Sequence, residues 1–201
     1  MNKLVIIGAG GHGNVIADIA VKNGYSDIVF LDDDPGAEEC GGFSVAGKTS
    51  DIEKYKDCDF IVAIGNPEVR EQITRKLEGF RLVTLIHPAA VIGRNVEIGK
   101  GTVVMAGAVI NPQTKIGEGC IINTCSSVDH NSCIADFVHV SIGAHLGGTV
   151  FVGKGTWIGA GVTVSNDISI CECCMIGAGA VVVSNIDQPG TYIGVPVFKI
   201  R

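Results

Sequence analysis

The sequence predicts two architectures in series: a small α/β unit over residues 1–87, then an all-β parallel prism with a C-terminal tail over residues 88–201. Three observations predict it. Strand-like and helix-like segments alternate up to residue 87, the order of a parallel βαβ sheet. From residue 92 aliphatic residues recur every six positions, a period that neither a helix nor an alternating strand produces. The chain is 46% hydrophobic but only 5% aromatic, with 28 glycines, so the core is Val, Ile and Ala and the backbone turns often.

The first element, "LVIIG" (4–8), is a buried strand. "GAGGHG" (8–13) ties it to a helix with Ile16, Ile19 and Ala20 on one face and a stop at Asn23-Gly24. Gly8, Gly10 and Gly13 fit G-x-G-x-x-G, and the acidic "LDDD" (31–34) follows about 20 residues on, as in dinucleotide binding. "DIVFLDD" (27–33) and "DFIVAIG" (59–65) are the second and third strands. In "NPEVREQITRKL" Asn66 caps a second helix and Pro67 takes its first position. "RLVTLIH" (81–87) is the fourth strand. The unit holds about half of a full Rossmann fold, which makes the glycine motif weak ground for NAD.

From residue 92 the chain divides into sixes: IGRNVE, IGKGTV, VMAGAV, INPQTK and onward to VVSNID. The first position of all 16 blocks is Ile, Val or Leu. Those types fill 28 of the 96 positions, so a chance alignment runs at about 1 in 10⁸ over six frames. The fifth position is always small or β-branched. A fixed short repeat predicts a solenoid. Each hexad supplies a short strand and a corner, and three hexads close one coil of a triangular prism, about five coils in all. First and fifth residues point inward, each buried aliphatic contributing about 1.5–3 kcal/mol. Cys120 and Cys174 fall on fifth positions and read as small core residues.

Bulk properties exclude several classes. The net charge of −6 argues against a nucleic-acid binder, which needs a basic face. No apolar run approaches the ~18 residues of a membrane span, and the apolar stretch after Lys3 is too short for a signal peptide. The expectation is a cytoplasmic protein without membrane insertion. Its eight cysteines then read as free thiols. "CECC" (171–174) has no second half-site for a metal.

With the hexads uninterrupted, the chain resembles the hexapeptide-repeat acyltransferases, whose parallel β-helix is left-handed against the usual crossover rule. "GAGGHG", "LDD", "AIGN", the joint "HPAAVIG", "SSVDH" within the repeats and the closing "GVP" are together similar to one branch, the bacterial nucleotide-sugar acetyltransferases. That branch includes the UDP-4-amino-sugar N-acetyltransferases and the proteins grouped as sialic acid O-acetyltransferases. The resemblance implies a half-Rossmann βαβ domain over 1–87 that binds a nucleotide-sugar instead of NAD. It implies a left-handed parallel β-helix acetyltransferase domain over 88–201, acetyl-CoA as co-substrate and no metal. It also implies a homotrimer with acetyl-CoA between neighbouring β-helices. The expected reaction moves acetyl to the amino group of a nucleotide-linked amino-sugar for surface glycans. O-acetylation of a sugar such as sialic acid is the runner-up. Amides at a helix N-terminus suit a diphosphate in either case.

Acetyl transfer from a thioester to an amine needs a base, a donor for the oxyanion and placement of both substrates. His130, third in "VDHNSC", projects from the prism and matches the family's general base; an ordinary surface histidine is the alternative. Relatives carry an acid directly after it, and Asn131 stands there. It can orient the ring but brings no charge, which leaves Asp129 or a neighbouring subunit to supply one. Gly10, Gly11, His12, Asp32, Asp33, Gly65 and Glu68 fall where relatives contact the nucleotide-sugar, and Asn123 falls near its sugar. A solvated strand end is the other reading of Asp32 and Asp33, and a stacked polar rung that of Asn123. His139, Gly148, Ala160 and Ala178 match acetyl-CoA contacts, with corner packing the other reading of His139. The Gly148 amide is the expected oxyanion donor. His87 reads as joint structure, and no role is implied for His145.

Two other classes fit less well. A metal-dependent hydratase of the γ-carbonic-anhydrase type needs three histidines converging between subunits, and His139 and His145 fall on successive faces without a third. An ice-binding β-helix shows flat threonine ladders, whereas the threonines here are scattered.

Overall fold

The computed structural model describes residues 3–201; Met1 and Asn2, part of the expected first domain, lie outside them. The α/β unit contains strand β1 (Leu4–Ile7), helix α1 (Gly11–Lys22), strands β2 (Ile28–Leu31) and β3 (Asp59–Val62), helix α2 (Pro67–Lys76) and strand β4 (Arg81–Leu82). The strands are parallel in the order β2-β1-β3-β4. All four residues of β1 are buried, hence a continuous apolar run instead of alternation. Helix α1 lays Ile16, Ala17, Ile19 and Ala20 inward. Gly13 lets it approach, because a Cβ there would stand 2.1 Å from the Gly8 carbonyl oxygen. Helix α2 starts as expected: the Asn66 side chain accepts the Val69 N–H at 3.0 Å, with Pro67 in the first turn.

The run 81–87, expected as one strand, is two. Residues 81–82 pair with β3, whereas 85–86 pair with 103–104 in the prism. At the break the Thr84 hydroxyl donates to the Gly99 carbonyl at 2.8 Å, so the chain changes sheets between them.

The prism has three faces. The first holds residues 85–86, 103–104, 121–122, 139–140, 157–158 and 174–176, with the C-terminal segments 190–193 and 198–199 added at its end. The second runs from 91–92 to 181–182, and the third from 97–98 to 169–170. Partners along a face lie three hexads apart, as in Val103, Ile121, His139 and Trp157. First positions from Val104 to Val182 and fifth positions from Thr102 to Ile186 are buried. Buried hydroxyls among them bond to backbone, as Thr102 does to the Gly117 carbonyl and the Cys120 amide.

The fourth hexad position follows a rule of its own. From Asn95 to Gly179 all 15 such residues have φ between 55 and 70°. This left-handed corner favours Gly and tolerates Asn, and seven of the 15 are glycine.

The α/β unit docks on the first face. Leu4, Ile6, Ile16 and Phe30 share one buried cluster with Leu85, Val103, Met105 and Ile121. Among the described residues no helix is long and apolar enough to cross a membrane.

Candidate functional site

The corner between the second and third faces carries the first group of expected site residues. Pro112, His130, Gly148 and Asn166 occupy third hexad positions and stack, one coil apart. The amides that follow the first three in the next coil tie them: Asn131 N–H to the Pro112 carbonyl (3.1 Å), Thr149 to His130 (2.9 Å) and Asp167 to Gly148 (3.0 Å). His130 is exposed and its ring lies on Gly148. A Cβ at Gly148 would stand 2.7 Å from both Cε1 and Nε2 of the imidazole. Glycine is what admits the ring.

The Gly148 N–H donates to the Asn166 side-chain oxygen at 3.2 Å, a long bond that a stronger acceptor can replace. Asp129 Oδ1 accepts from Asn111 Nδ2 at 2.6 Å and from the His130 backbone N–H at 2.7 Å. Those bonds, Asn111's foremost, hold its carboxyl below the usual range, so a carboxylate adjoins the histidine. Asn131 is a corner residue with φ 58°. No hydrogen bond joins its side chain to the ring it was expected to orient, and the left-handed backbone accounts for the residue type.

The second group gathers on the first face, under the α/β unit. His139 stands on the flat of that face, 8% exposed, and not at a corner. Its ring stacks on Trp157 with centroids 4.9 Å apart and planes at 27°. Asn123 Nδ2 lies 3.1 Å from its Nε2. From above come His12, in the first turn of α1, and Arg70 of α2, both near enough to disfavour charge on His139. Burial, then these two charges, push His139 down to about 3; burial and then Arg70 push His12 to about 4. Both imidazoles are therefore neutral at physiological pH.

Arg70 is the central strut. It is 1% exposed and, among the described residues, meets no carboxylate. Nε donates to the Gly119 carbonyl (2.7 Å) and Nη2 to that of Phe137 (2.7 Å), both in the prism. Nη1 donates to Ile64 (2.8 Å) and Gly65 (2.7 Å) at the end of β3. Burial lowers the guanidinium to about 10, which leaves it charged. Sequence reasoning missed Arg70, although it falls in stripe with Ile73, Thr74 and Leu77, the helical spacing of an inward face. Trp157 was missed too; as a sixth-position residue it points outward onto the docked unit.

The remaining candidates flank these groups. Gly10 and Gly11 open α1 with no side-chain cap, and a Cβ on either meets nothing within 4 Å. Asp32 accepts from the Ala9 amide (2.6 Å) and the Asp34 amide (2.8 Å), and Asp33 from the Thr49 amide (2.9 Å). Both carboxylates brace loops around the strand end. Glu68 lines a cleft of about 380 Å³ with Asn66, Glu71, Lys154, Trp157 and Cys173. Ala160 and Ala178 stack at the corner between the first and second faces, Gly179 N–H donating to the Ala160 carbonyl at 2.8 Å. Asn123 begins the same corner one face away from His130. His145 bonds Ser127 across the second face at 2.9 Å. Among the described residues no group of three or more His, Cys, Asp or Glu is placed to hold a metal ion.

Residues 3–77 match the PglD N-terminal domain, and residues 95–130 match the bacterial transferase hexapeptide (six repeats). The acetyltransferase domain of PglB from Neisseria gonorrhoeae FA1090, solved in complex with acetyl coenzyme A, is 40% identical. The match covers 99% of both chains with a TM-score of 0.96. A histidine-to-asparagine mutant of perosamine N-acetyltransferase from Caulobacter crescentus, in complex with CoA and GDP-perosamine, is 33% identical. That match covers 100% of this chain and 98% of the other, with a TM-score of 0.96. UDP-N-acetylbacillosamine N-acetyltransferase of Bacillus subtilis is 37% identical over 115 residues, 53% of this chain and 52% of that protein. The alignment thus spans about half the length of this curated relative.

Proposed function

The chain belongs to the hexapeptide-repeat sugar acetyltransferases, and from that premise we propose that it moves an acetyl group from acetyl-CoA to the amine of a nucleotide-linked amino-sugar. The observation that carries the reading is His130, an exposed imidazole seated on Gly148 with a carboxylate beside it and a backbone amide below. In this mechanism the sugar amine attacks the thioester carbonyl while His130 takes the amine's proton. The Gly148 N–H turns from Asn166 to the oxyanion of the tetrahedral intermediate. Collapse expels the CoA thiolate, which takes the proton back from His130 and leaves as thiol. The bare Gly10-Gly11 turn offers the diphosphate the amides of a helix N-terminus.

The functional oligomer in this reading is a homotrimer. His130 and Gly148 stand at one edge of the second face, whereas Asn123, Ala160 and Ala178 stand at the other. A neighbouring copy with its second face turned to a common axis would set one edge against the other. The protein acts in the cytoplasm, where nucleotide-sugars and acetyl-CoA are available.

A panel of UDP-, GDP-, CMP- and dTDP-linked amino-sugars tests the activity, with acetyl-CoA turnover followed by thioester absorbance. One nucleotide-sugar should be acetylated at nitrogen, and His130→Ala should lower kcat by about 10²–10⁴ with little change in KM. Full activity in that variant excludes His130 as the base.

A further inference from the structure

The Asn123 side chain is held at both ends. Its Oδ1 accepts the Thr124 N–H at 2.7 Å. A backbone amide can only donate, so the other end, Nδ2, is the donor facing His139 Nε2 at 3.1 Å. An imidazole nitrogen that accepts carries no proton, and the neutral ring then keeps its proton on Nδ1. Trp157 sets the plane of the ring, its own Nε1–H anchored on Ser141 Oγ at 2.8 Å. Nδ1 is buried, and no group among the described residues pairs with it.

We propose that Asn123 is a positioning residue that locks His139 as the neutral Nδ1–H tautomer, so that the ring offers one donor, and no base, to a carbonyl-type oxygen of the acyl donor. The ligand in this statement rests on the acetyltransferase reading; the tautomer does not. A buried N–H without an acceptor is costly, and the thioester and amide oxygens of acetyl-CoA are acceptors only. The charged form of the ring is suppressed by burial first. The titratable groups facing it are Arg70 from α2 and His12 from α1, and both oppose a second positive charge. Its first-face neighbours Asn123, Ser141 and Trp157 do not titrate. His139 and His130 thereby divide the work: the buried imidazole is barred from taking a proton, and the exposed one serves as the base of the proposed reaction.

Long-range ¹H–¹⁵N spectra of the full ¹⁵N-labelled chain read the tautomer directly, the His139 signals being identified by their loss in His139→Gln. The expected spectrum has Nε2 unprotonated and neither nitrogen moving between about pH 5 and 8. In Asn123→Asp the carboxylate accepts instead, so the proton shifts to Nε2 and the ring begins to titrate in that range. The same substitution raises the KM for acetyl-CoA about tenfold, the scale of one lost hydrogen bond, and leaves kcat less affected. A proton on Nε2 in the parent protein, or a spectrum unchanged by Asn123→Asp, overturns the proposal. A switched tautomer with unchanged KM overturns its ligand half. The parent spectrum decides the tautomer even where the variant does not fold. It also needs no turnover, so failure to acetylate any sugar is a separate result that refutes the acetyltransferase reading alone.

Discussion

Gly148→Ala tests whether the seat of His130 matters to turnover. The added Cβ would stand 2.7 Å from Cε1 and Nε2 of the ring, where ordinary contact begins at 3.4 Å. The imidazole must retreat by the difference, about 0.7 Å, or swing to another rotamer. Misplacing a reacting group by ~1 Å costs up to about 10²-fold, so kcat should fall about 10- to 100-fold. His130 is exposed and Gly148 lies outside the left-handed region, so stability should change by less than about 1 kcal/mol. Turnover is followed by thioester absorbance, since Cys125, Cys133 and Cys173 are exposed thiols that would react with a thiol reagent. Urea unfolding gives the stability. The decisive comparison is the double variant: with His130→Ala already present, Gly148→Ala should add almost nothing. An equal loss in both backgrounds would mean that Gly148 acts through its amide alone. Undiminished turnover would mean that the position of the ring is irrelevant.

Other substitutions test other parts. Arg70→Met leaves two buried and two half-buried carbonyls without their charged donor and should cost about 3 kcal/mol or more in urea unfolding; a cost under ~1 kcal/mol would remove Arg70 as the strut between the units. His12 and His139 are held at about 4 and 3 when folded, below the unfolded value near 6.5. The unfolded chain therefore binds more protons below pH ~6.5, and each histidine should lower the unfolding free energy by about 1.4 kcal/mol per pH unit as pH falls toward 4. Urea titrations at several pH values check this, and His12→Asn with His139→Asn should flatten the slope. Asn131→Glu sets a negative charge beside His130, which favours the protonated ring. The acidic limb of the kcat/KM profile should then move to higher pH, and an unmoved limb would leave Asp129 as sufficient partner.

The prism was legible because its period is covalent: six residues, one inward aliphatic, one inward small residue, without insertion. Cys120 and Cys174, read as core from spacing alone, are 0% and 2% exposed. The corner rule escaped because residues as unlike as Gln113, Phe137 and Cys173 occupy it, and backbone shape rather than side-chain type unites them. His130 could be seen to project, since a third position cannot enter a column. That His139 lies beneath the α/β unit could not be seen. Which face receives the first domain depends on the interruption between the strands at 83–84 and on Arg70, and no periodicity announces either. The Asx-like bond that orients Asn123 is equally invisible to spacing.

The prism also constrains how such a chain can change length. A six-residue insertion keeps every column apolar yet rotates all that follows by a third of a turn, carrying Ala160 and Ala178 away from Asn123's corner. Eighteen residues restore the orientation and translate the later coils by one strand spacing, about 4.8 Å. Corner chemistry is therefore indexed in whole coils. A variant with the coil 151–168 duplicated would keep His130 on Gly148 and deepen the groove by one strand spacing. The reach of the site along the axis is thus a discrete quantity, set by counting coils.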